Sequence, residues 1–242
     1  MTSRFIFSLF AFFSFVFAVN AEPPRPPETN YEKREQHDRD GIGVFYMGRE
    51  IAQFMSHRAA DWLDRTTREE EEKTSQMIGL LKFRDGETVA DIGAGTGYVS
   101  EKIARKIGTN GLVYATDIQP EMIEKLDAKM KTLGIANVKG LLGEIEDAKL
   151  PAGKVDTVIL VDVYHEFDHP YEMTRSMIAG LKSGGRIVFV EFRGEDPKVP
   201  IKRLHKTSLA QIKKEMAVQP ELEFVESLES LPWQHIIIFR KR

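Results

Sequence analysis

Several short stretches carry residue types and spacings that could do chemistry. The first is Val89-Ala-Asp-Ile-Gly-Ala-Gly-Thr-Gly97, an apolar run that ends in Asp91 and opens into glycines at Gly93, Gly95 and Gly97. Alternate glycines permit positive φ and leave no Cβ between the backbone and an approaching ligand. The dinucleotide fingerprint GxGxxG wants a small residue next, for close helix–strand packing beside a pyrophosphate; Tyr98 stands there instead. The second is Asp117, which ends the next apolar run 20 residues beyond Gly97. A carboxylate there can accept hydrogen bonds from both hydroxyls of a ribose. That supports a nucleoside ligand without choosing one. In Leu141-Leu-Gly-Glu-Ile-Glu-Asp147, Glu144 stands where a carboxylate could accept from an adenine amino group, with Ile145 against the ring.

The third stretch is Val161-Asp-Val-Tyr-His-Glu-Phe-Asp-His-Pro170, beyond another apolar run. Ligands of open α/β sheets sit past the carboxyl ends of the strands, so this loop faces a ligand. His165 titrates near neutral pH and is the candidate general base. Tyr164 could stack on or orient an acceptor. Asp162, His165, Glu166 and His169 recur at helical spacing and are all types that ligate a divalent metal. Pro170 and the preceding strand leave little helix on which they could share a face, so no metal is assigned. His205 lies in the basic run Lys198–Lys206, which reads as a solvated loop able to grip an anion. Trp62 and Trp233 read as packing residues.

These stretches need elements to position them. Short apolar strands alternate with amphipathic helices from Thr88 onward. Strands are expected near Thr88–Asp91, Leu112–Asp117, Val138–Gly143, Val155–Val163 and Arg186–Phe192, with helices near Tyr98–Ile107, Pro120–Leu133 and Tyr171–Leu181. Such alternation builds βαβ units and a parallel sheet. The rhythm then breaks. A helix at Ser208–Ala217 precedes strands Leu222–Leu228 and His235–Arg240, and the few residues between those strands leave no room for a crossover helix. They must pair as an antiparallel hairpin.

The combination of Asp-Ile-Gly-Ala-Gly-Thr-Gly97, Asp117, Gly143-Glu-Ile-Glu-Asp147 and Gly184-Gly-Arg-Ile-Val-Phe-Val-Glu-Phe192 resembles the class I S-adenosylmethionine-dependent methyltransferases. The resemblance spans roughly residues 80–242. It implies an α/β, Rossmann-like, seven-stranded and mostly parallel sheet with an antiparallel last strand. It also implies S-adenosyl-L-methionine as cofactor and a small-molecule acceptor. Asp91 and the loop Gly93, Ala94, Gly95, Thr96 and Gly97 would surround the methionine part. Asp117 would hold the ribose with Ile118 beside it, Glu144 and Ile145 the adenine, and Asp162 would also belong to the cofactor site. The family often carries aspartate where Glu144 stands. Gly41-Ile-Gly-Val-Phe-Tyr-Met-Gly-Arg-Glu-Ile-Ala52 resembles a group of exported bacterial methyltransferase-like proteins. A nicotinamide oxidoreductase and a non-catalytic cofactor-binding module are the alternatives; Tyr98 and the terminal hairpin argue against the first, the intact glycines against the second.

The N-terminal part reads as three pieces. Residues 1–21 form a secretory signal: the run Phe5–Val19 holds only apolar residues and two serines. As a helix it would reach about 22 Å, short of a ~30 Å hydrocarbon core. Cleavage is expected near Ala21, giving an exported chain without stable membrane insertion; an uncleaved anchor is the alternative. Residues 22–40, with four prolines and many charges, read as a disordered linker. Residues 41–79 read as a helical extension or lid, with an amphipathic helix over 49–63 and an aromatic loop tip at Phe45 and Tyr46. The 242 residues carry a formal net charge of −3, so no strong field draws them to nucleic acid, and they hold no cysteine, which excludes thiol catalysis, disulfides and Cys-based zinc sites.

Overall fold

A computed structural model describes residues 30–242. The expected signal, its cleavage site and the proline-rich start of the linker lie outside the described residues. The chain opens with a small antiparallel sheet of β1 (Tyr31–Lys33), β2 (Gly41–Tyr46) and β3 (Arg49–Ala52). A 3₁₀ turn at His57–Trp62 and two short helices, α1 (Arg68–Glu72) and α2 (Thr74–Leu80), follow.

This corrects two expectations. Residues 49–63 are not an amphipathic helix, and 41–48 are not an aromatic-tipped loop: strands fill 41–46 and 49–52, and the only helical part is the 3₁₀ turn. Ile42, Val44, Phe45 and Tyr46 are β-branched or aromatic and suit a pleated strand. Met47 and Gly48 both take positive φ, 48° and 91°, the signature of the tight turn that matches strand twist. Nor is the stretch from Tyr31 a solvated linker: β1 pairs with β2, and the Tyr31 hydroxyl donates to Glu172 Oε2 at 2.7 Å.

The main domain alternates β4 (Thr88–Ile92), α3 (Tyr98–Ile107), β5 (Leu112–Asp117), α4 (Pro120–Thr132), β6 (Val138–Leu142), β7 (Val155–Val161), α5 (Pro170–Gly180) and β8 (Leu181–Phe192). It closes with α6 (Leu209–Met216), β9 (Leu222–Leu228) and β10 (Gln234–Lys241). The sheet order is β6-β5-β4-β7-β8-β10-β9. The neighbours from β6 to β8 pair in parallel, while β10 runs antiparallel to both β8 and β9. This is the expected mostly parallel sheet with a reversed last strand.

Central strands are buried on both faces and therefore read as apolar runs. Val158, Ile159 and Leu160 on β7 and Ile187–Val190 on β8 are fully enclosed. Helix α3 buries Val99, Ile103 and Ile107 at helical spacing and turns Glu101 and Arg105 outward. Gly97 starts that helix at φ 80°, and a Cβ there would come within 2.9 Å of Met130 Cε and 3.0 Å of Leu126 Cγ. No described helix is long and apolar enough to cross a membrane.

The small sheet is locked to the main domain by a buried ion pair. Arg49 on β3 donates from Nε to Glu215 Oε1 at 2.8 Å and from Nη2 to Oε2 at 3.0 Å. Glu215, on α6, also accepts from the Tyr164 hydroxyl at 2.6 Å. Arg49 reaches the His165 carbonyl oxygen at 3.2 Å as well. Removing one partner of such a pair strands a buried charge, at a cost of about 3–5 kcal/mol. Arg49→Ala is therefore expected to lose that much unfolding free energy in urea titration. A loss below about 1 kcal/mol would mean that the pair does not tie the two sheets together.

Candidate functional site

A cavity of about 600 Å³ opens at the carboxyl ends of β4, β5, β6 and β7. In an open sheet of this order the crossovers reverse direction between β4 and β7, which leaves a crevice there. The N-terminal extension supplies the opposite wall, with Phe54, Trp62 and Arg68 among its residues.

One end of the cavity holds the expected nucleoside residues. Asp117, at the tip of β5, accepts from the Gly95 amide at 3.0 Å and the Gln119 amide at 2.9 Å, one bond to each carboxylate oxygen. A carboxylate oxygen has two lone pairs, so each keeps one for a ligand. Ile118 and Ile145 are 39% and 48% exposed and both line the cavity. Glu144 lines it too, but its carboxylate is drawn to Lys149 Nζ at 2.9 Å. Gly93 and Gly95 are the members of the glycine loop that face the cavity. Gly93 sits at φ 67°, and a Cβ on it would strike Val163 Cγ2 at 2.4 Å.

Asp91, Ala94, Thr96 and Gly97 stand behind that surface. Ala94 packs against the core and Gly97 caps α3. The Thr96 hydroxyl is buried with no partner. Asp91 accepts from Ser100 Oγ at 2.6 Å beneath the loop, and burial pushes its carboxyl up to about 6. These four shape the loop from behind and do not line the cavity.

Asp162 does line the cavity. It takes the left-handed conformation, φ 53°, at the end of β7. Its Oδ2 accepts from Gln234 at 3.1 Å, while Oδ1 is buried without a partner. Burial, with Glu72 and Glu191 nearby, pushes this carboxyl well above the usual range. Arg68 lines the same wall, its Nε and Nη1 committed to Glu72 and to the Leu63 carbonyl.

The other end carries His165, Glu166 and His205. His165 Nδ1 meets Glu191 Oε2 at 2.7 Å, which turns Nε2 toward His205 Nδ1 at 3.2 Å. Glu191 also accepts from the Val163 and Tyr164 amides at 3.1 and 2.8 Å. Burial alone would lower the His165 imidazole, but the Glu191 charge wins and holds it above the ordinary histidine value. Burial likewise opposes ionisation of Glu191, and its His165 partner holds that carboxyl below the usual range.

Several expectations change here. Tyr164 does not meet a ligand: its side chain is 0% exposed, edge-on to Phe167 and Phe189, with its hydroxyl on Glu215. Its position next to His165 in sequence turns it to the opposite side of the loop, into the core. Phe45 and Tyr46 are buried and stand off the cavity; the extension lines it with Gln53, Phe54 and Met55 instead. Trp62, expected to pack, is 50% exposed on the rim. His169 lies apart from His165, with Nε2 at 3.5 Å from Glu146. The basic run is largely exposed, and within it Lys202 and Arg203 pair with Asp40 and Asp38. Sequence reading missed Glu191, Glu215, Arg49 and Arg68. The only signal was a charged residue inside or beside an otherwise apolar element, as Glu191 interrupts Ile187–Phe192.

Comparison with known proteins agrees with this geometry. Residues 83–236 match the family described as "Methyltransferase domain". The ubiquinone/menaquinone biosynthesis C-methyltransferase UbiE of Pseudomonas putida (strain GB-1) is 32% identical over 116 residues, 48% of this chain and 45% of that protein. The protein of the same name from Pseudomonas syringae pv. syringae (strain B728a) is 31% identical over 116 residues, with the same coverage. The chain thus matches less than half the length of these relatives. Among solved structures, a SAM-dependent methyltransferase from Aquifex aeolicus superposes with a TM-score of 0.73 at 20% identity, covering 78% of this chain and all of that one. The YcgJ protein from Bacillus superposes at 0.56 and 17% identity, over 70% and 97% of the two chains.

The buried Asp91 carries a pH signature. An unfolded aspartate titrates near 3.9 and the native one at about 6, so the native state binds more protons in that window. Stability must therefore fall as pH rises from about 4 to about 6, by roughly 3 kcal/mol from this residue. Asp91→Asn is expected to lack the effect. Its stability relative to the unsubstituted protein should rise by about that amount between pH 4 and pH 7 in chemical denaturation. A difference that stays flat with pH would show the carboxyl to be unperturbed.

Proposed function

The chain belongs to the methyltransferase domain family, with S-adenosylmethionine as its cofactor, and we propose that it transfers the methyl group to a small-molecule acceptor lodged in the same cavity. The observation that carries this reading is Asp117, placed at the tip of β5 with the Gly95 amide on it and a lone pair of each oxygen left over. The rest of the cavity fits the cofactor's parts. Ile118 and Ile145 flank a slot suited to an aromatic base. The unpartnered Asp162 Oδ1 suits an ammonium, and Arg68 on the same wall suits a carboxylate.

When bound, the cofactor supplies a methyl group already activated on a sulfonium. The chain therefore has mainly to align the acceptor, and good alignment is worth up to about 7–11 kcal/mol. Phe54, Trp62, Phe167, Met173 and Phe192 make the acceptor side largely apolar, and His165, with Glu166 and His205, supplies its polar groups. The relatives' role in ubiquinone and menaquinone biosynthesis supports a small-molecule acceptor.

Two measurements test the reading. Asp117→Ala removes charge-assisted hydrogen bonds worth about 1.5–3 kcal/mol each before solvent compensation. Affinity for S-adenosylhomocysteine should fall at least tenfold by calorimetry; an unchanged Kd would overturn the site assignment. His165→Ala should lower turnover about 10²–10⁴-fold, on an acceptor found by labelling extract with methyl-labelled cofactor, while cofactor affinity holds within about twofold. Full turnover in that variant would remove His165 from the chemistry.

A further inference from the structure

We propose that His165, Glu166 and His205 bind a divalent transition metal at the acceptor end of the cavity, and that the metal takes an acceptor oxygen as a further ligand. The acceptor part rests on the reading above; the metal part stands on the cluster itself.

The three donor atoms already converge. His165 Nε2 lies 3.2 Å from His205 Nδ1 and 3.9 Å from Glu166 Oε1, and His205 Nδ1 lies 3.7 Å from that same oxygen. Ligands held about 2.0–2.2 Å from one ion stand roughly 3–3.5 Å from each other. Movements of a few tenths of an ångström would close the set. Among the described residues, this is the group of histidine and carboxylate ligands that converges within 4.8 Å.

Two of the three donors are also held from behind. Glu191 fixes His165 through Nδ1, so Nε2 points at the cluster. A carboxylate behind a ligating imidazole is the arrangement that orients it and raises its basicity. Glu191 is itself pinned by two backbone amides. Glu166 is steadied through its other oxygen, which accepts from the Met55 amide at 3.3 Å. The His205 ring stands edge-on to His165, with centroids 5.1 Å apart. Lys202 and Arg203, at the start of His205's turn, are tied to the N-terminal segment.

Two imidazoles and one carboxylate form a set used by zinc and by iron(II) when coordination positions must stay open for a substrate. All three residues line the cavity, so the open positions face the ligand space. An acceptor hydroxyl that enters one is polarised by the ion. As its oxygen took the methyl group and the methyl–sulfur bond broke to leave the neutral thioether, its proton would pass to solvent at the cavity mouth. His165 would act as a ligand through Nε2, not as a free base. The fold thus assembles the site from two sequence-distant turns, one after β7 and one before α6.

The test uses the full chain without a histidine tag, stripped by chelator and titrated with Zn²⁺ by calorimetry and with Co²⁺ by visible absorption. One ion per chain is expected, with His205→Ala and Glu166→Gln each weakening it at least tenfold. Affinity for S-adenosylhomocysteine should stay within about twofold in both, which separates metal loss from misfolding and from failure of the cofactor reading. His205→Gln, closer in volume, repeats the comparison if the alanine variant is unstable. Absence of Zn²⁺ and Co²⁺ binding by the unsubstituted protein would overturn the proposal. So would binding that His205→Ala and His205→Gln leave unchanged.

Discussion

A carboxylate sealed inside a parallel sheet must be matched or the strand cannot hold it. Glu191 is such a group, fully buried near the end of β8. Leaving it unpaired would cost several kcal/mol, more than most single interactions in a domain supply. It is matched by the Val163 and Tyr164 amides and by His165 Nδ1. Satisfying one buried charge therefore dictates the path of the loop after β7. It brings Val163 over Gly93, sends Tyr164 into the core and leaves His165 Nε2 facing the cavity. Asp162 absorbs the sharp turn this requires, in a left-handed conformation that non-glycine residues adopt only at a cost.

The N-terminal sheet is coupled to the same loop rather than hinged above it. Arg49 joins Glu215 and the His165 carbonyl, and Met55 donates to Glu166. Gln119, which follows Asp117, accepts from the His57 amide and donates to the Met55 carbonyl at 2.8 and 2.9 Å. The extension thus contacts both ends of the cavity through fixed polar bonds. Its buried side, with Tyr46 and Ile51 against Tyr171, is a satellite core that makes it a wall of the site.

The cavity is chemically divided. At one end, carboxylates gather under burial: Asp117 and Asp162 are both pushed upward, and each is positioned to gain from a positive or hydrogen-bond-donating ligand. At the other, two imidazoles and a carboxylate converge. Apolar side chains lie between and around them, so each polar contact is made in a low-dielectric space where it counts for more than in water.

What the sequence alone determined follows from short-range physics. The period of apolar residues set the strands and helices of the main domain to within a few residues, because burial on one or both faces writes its own spacing. The positions of the glycine loop and Asp117 were legible for a related reason: a backbone that must turn sharply leaves glycines, and a strand tip whose neighbours donate amides leaves a carboxylate. The N-terminal hairpin was misread because glycines at 41, 43 and 48 suit a loop as well as a strand pair, and only the Met47–Gly48 turn and the pairing across it decide between them. The partnerships of Glu191 with His165, Glu215 with Arg49, and His205 with His165 were decided by the tertiary structure alone. Each joins residues 26 to 166 positions apart, and no local pattern records which distant charge will neutralise a buried one. That choice exists only once the sheet has brought the two elements side by side.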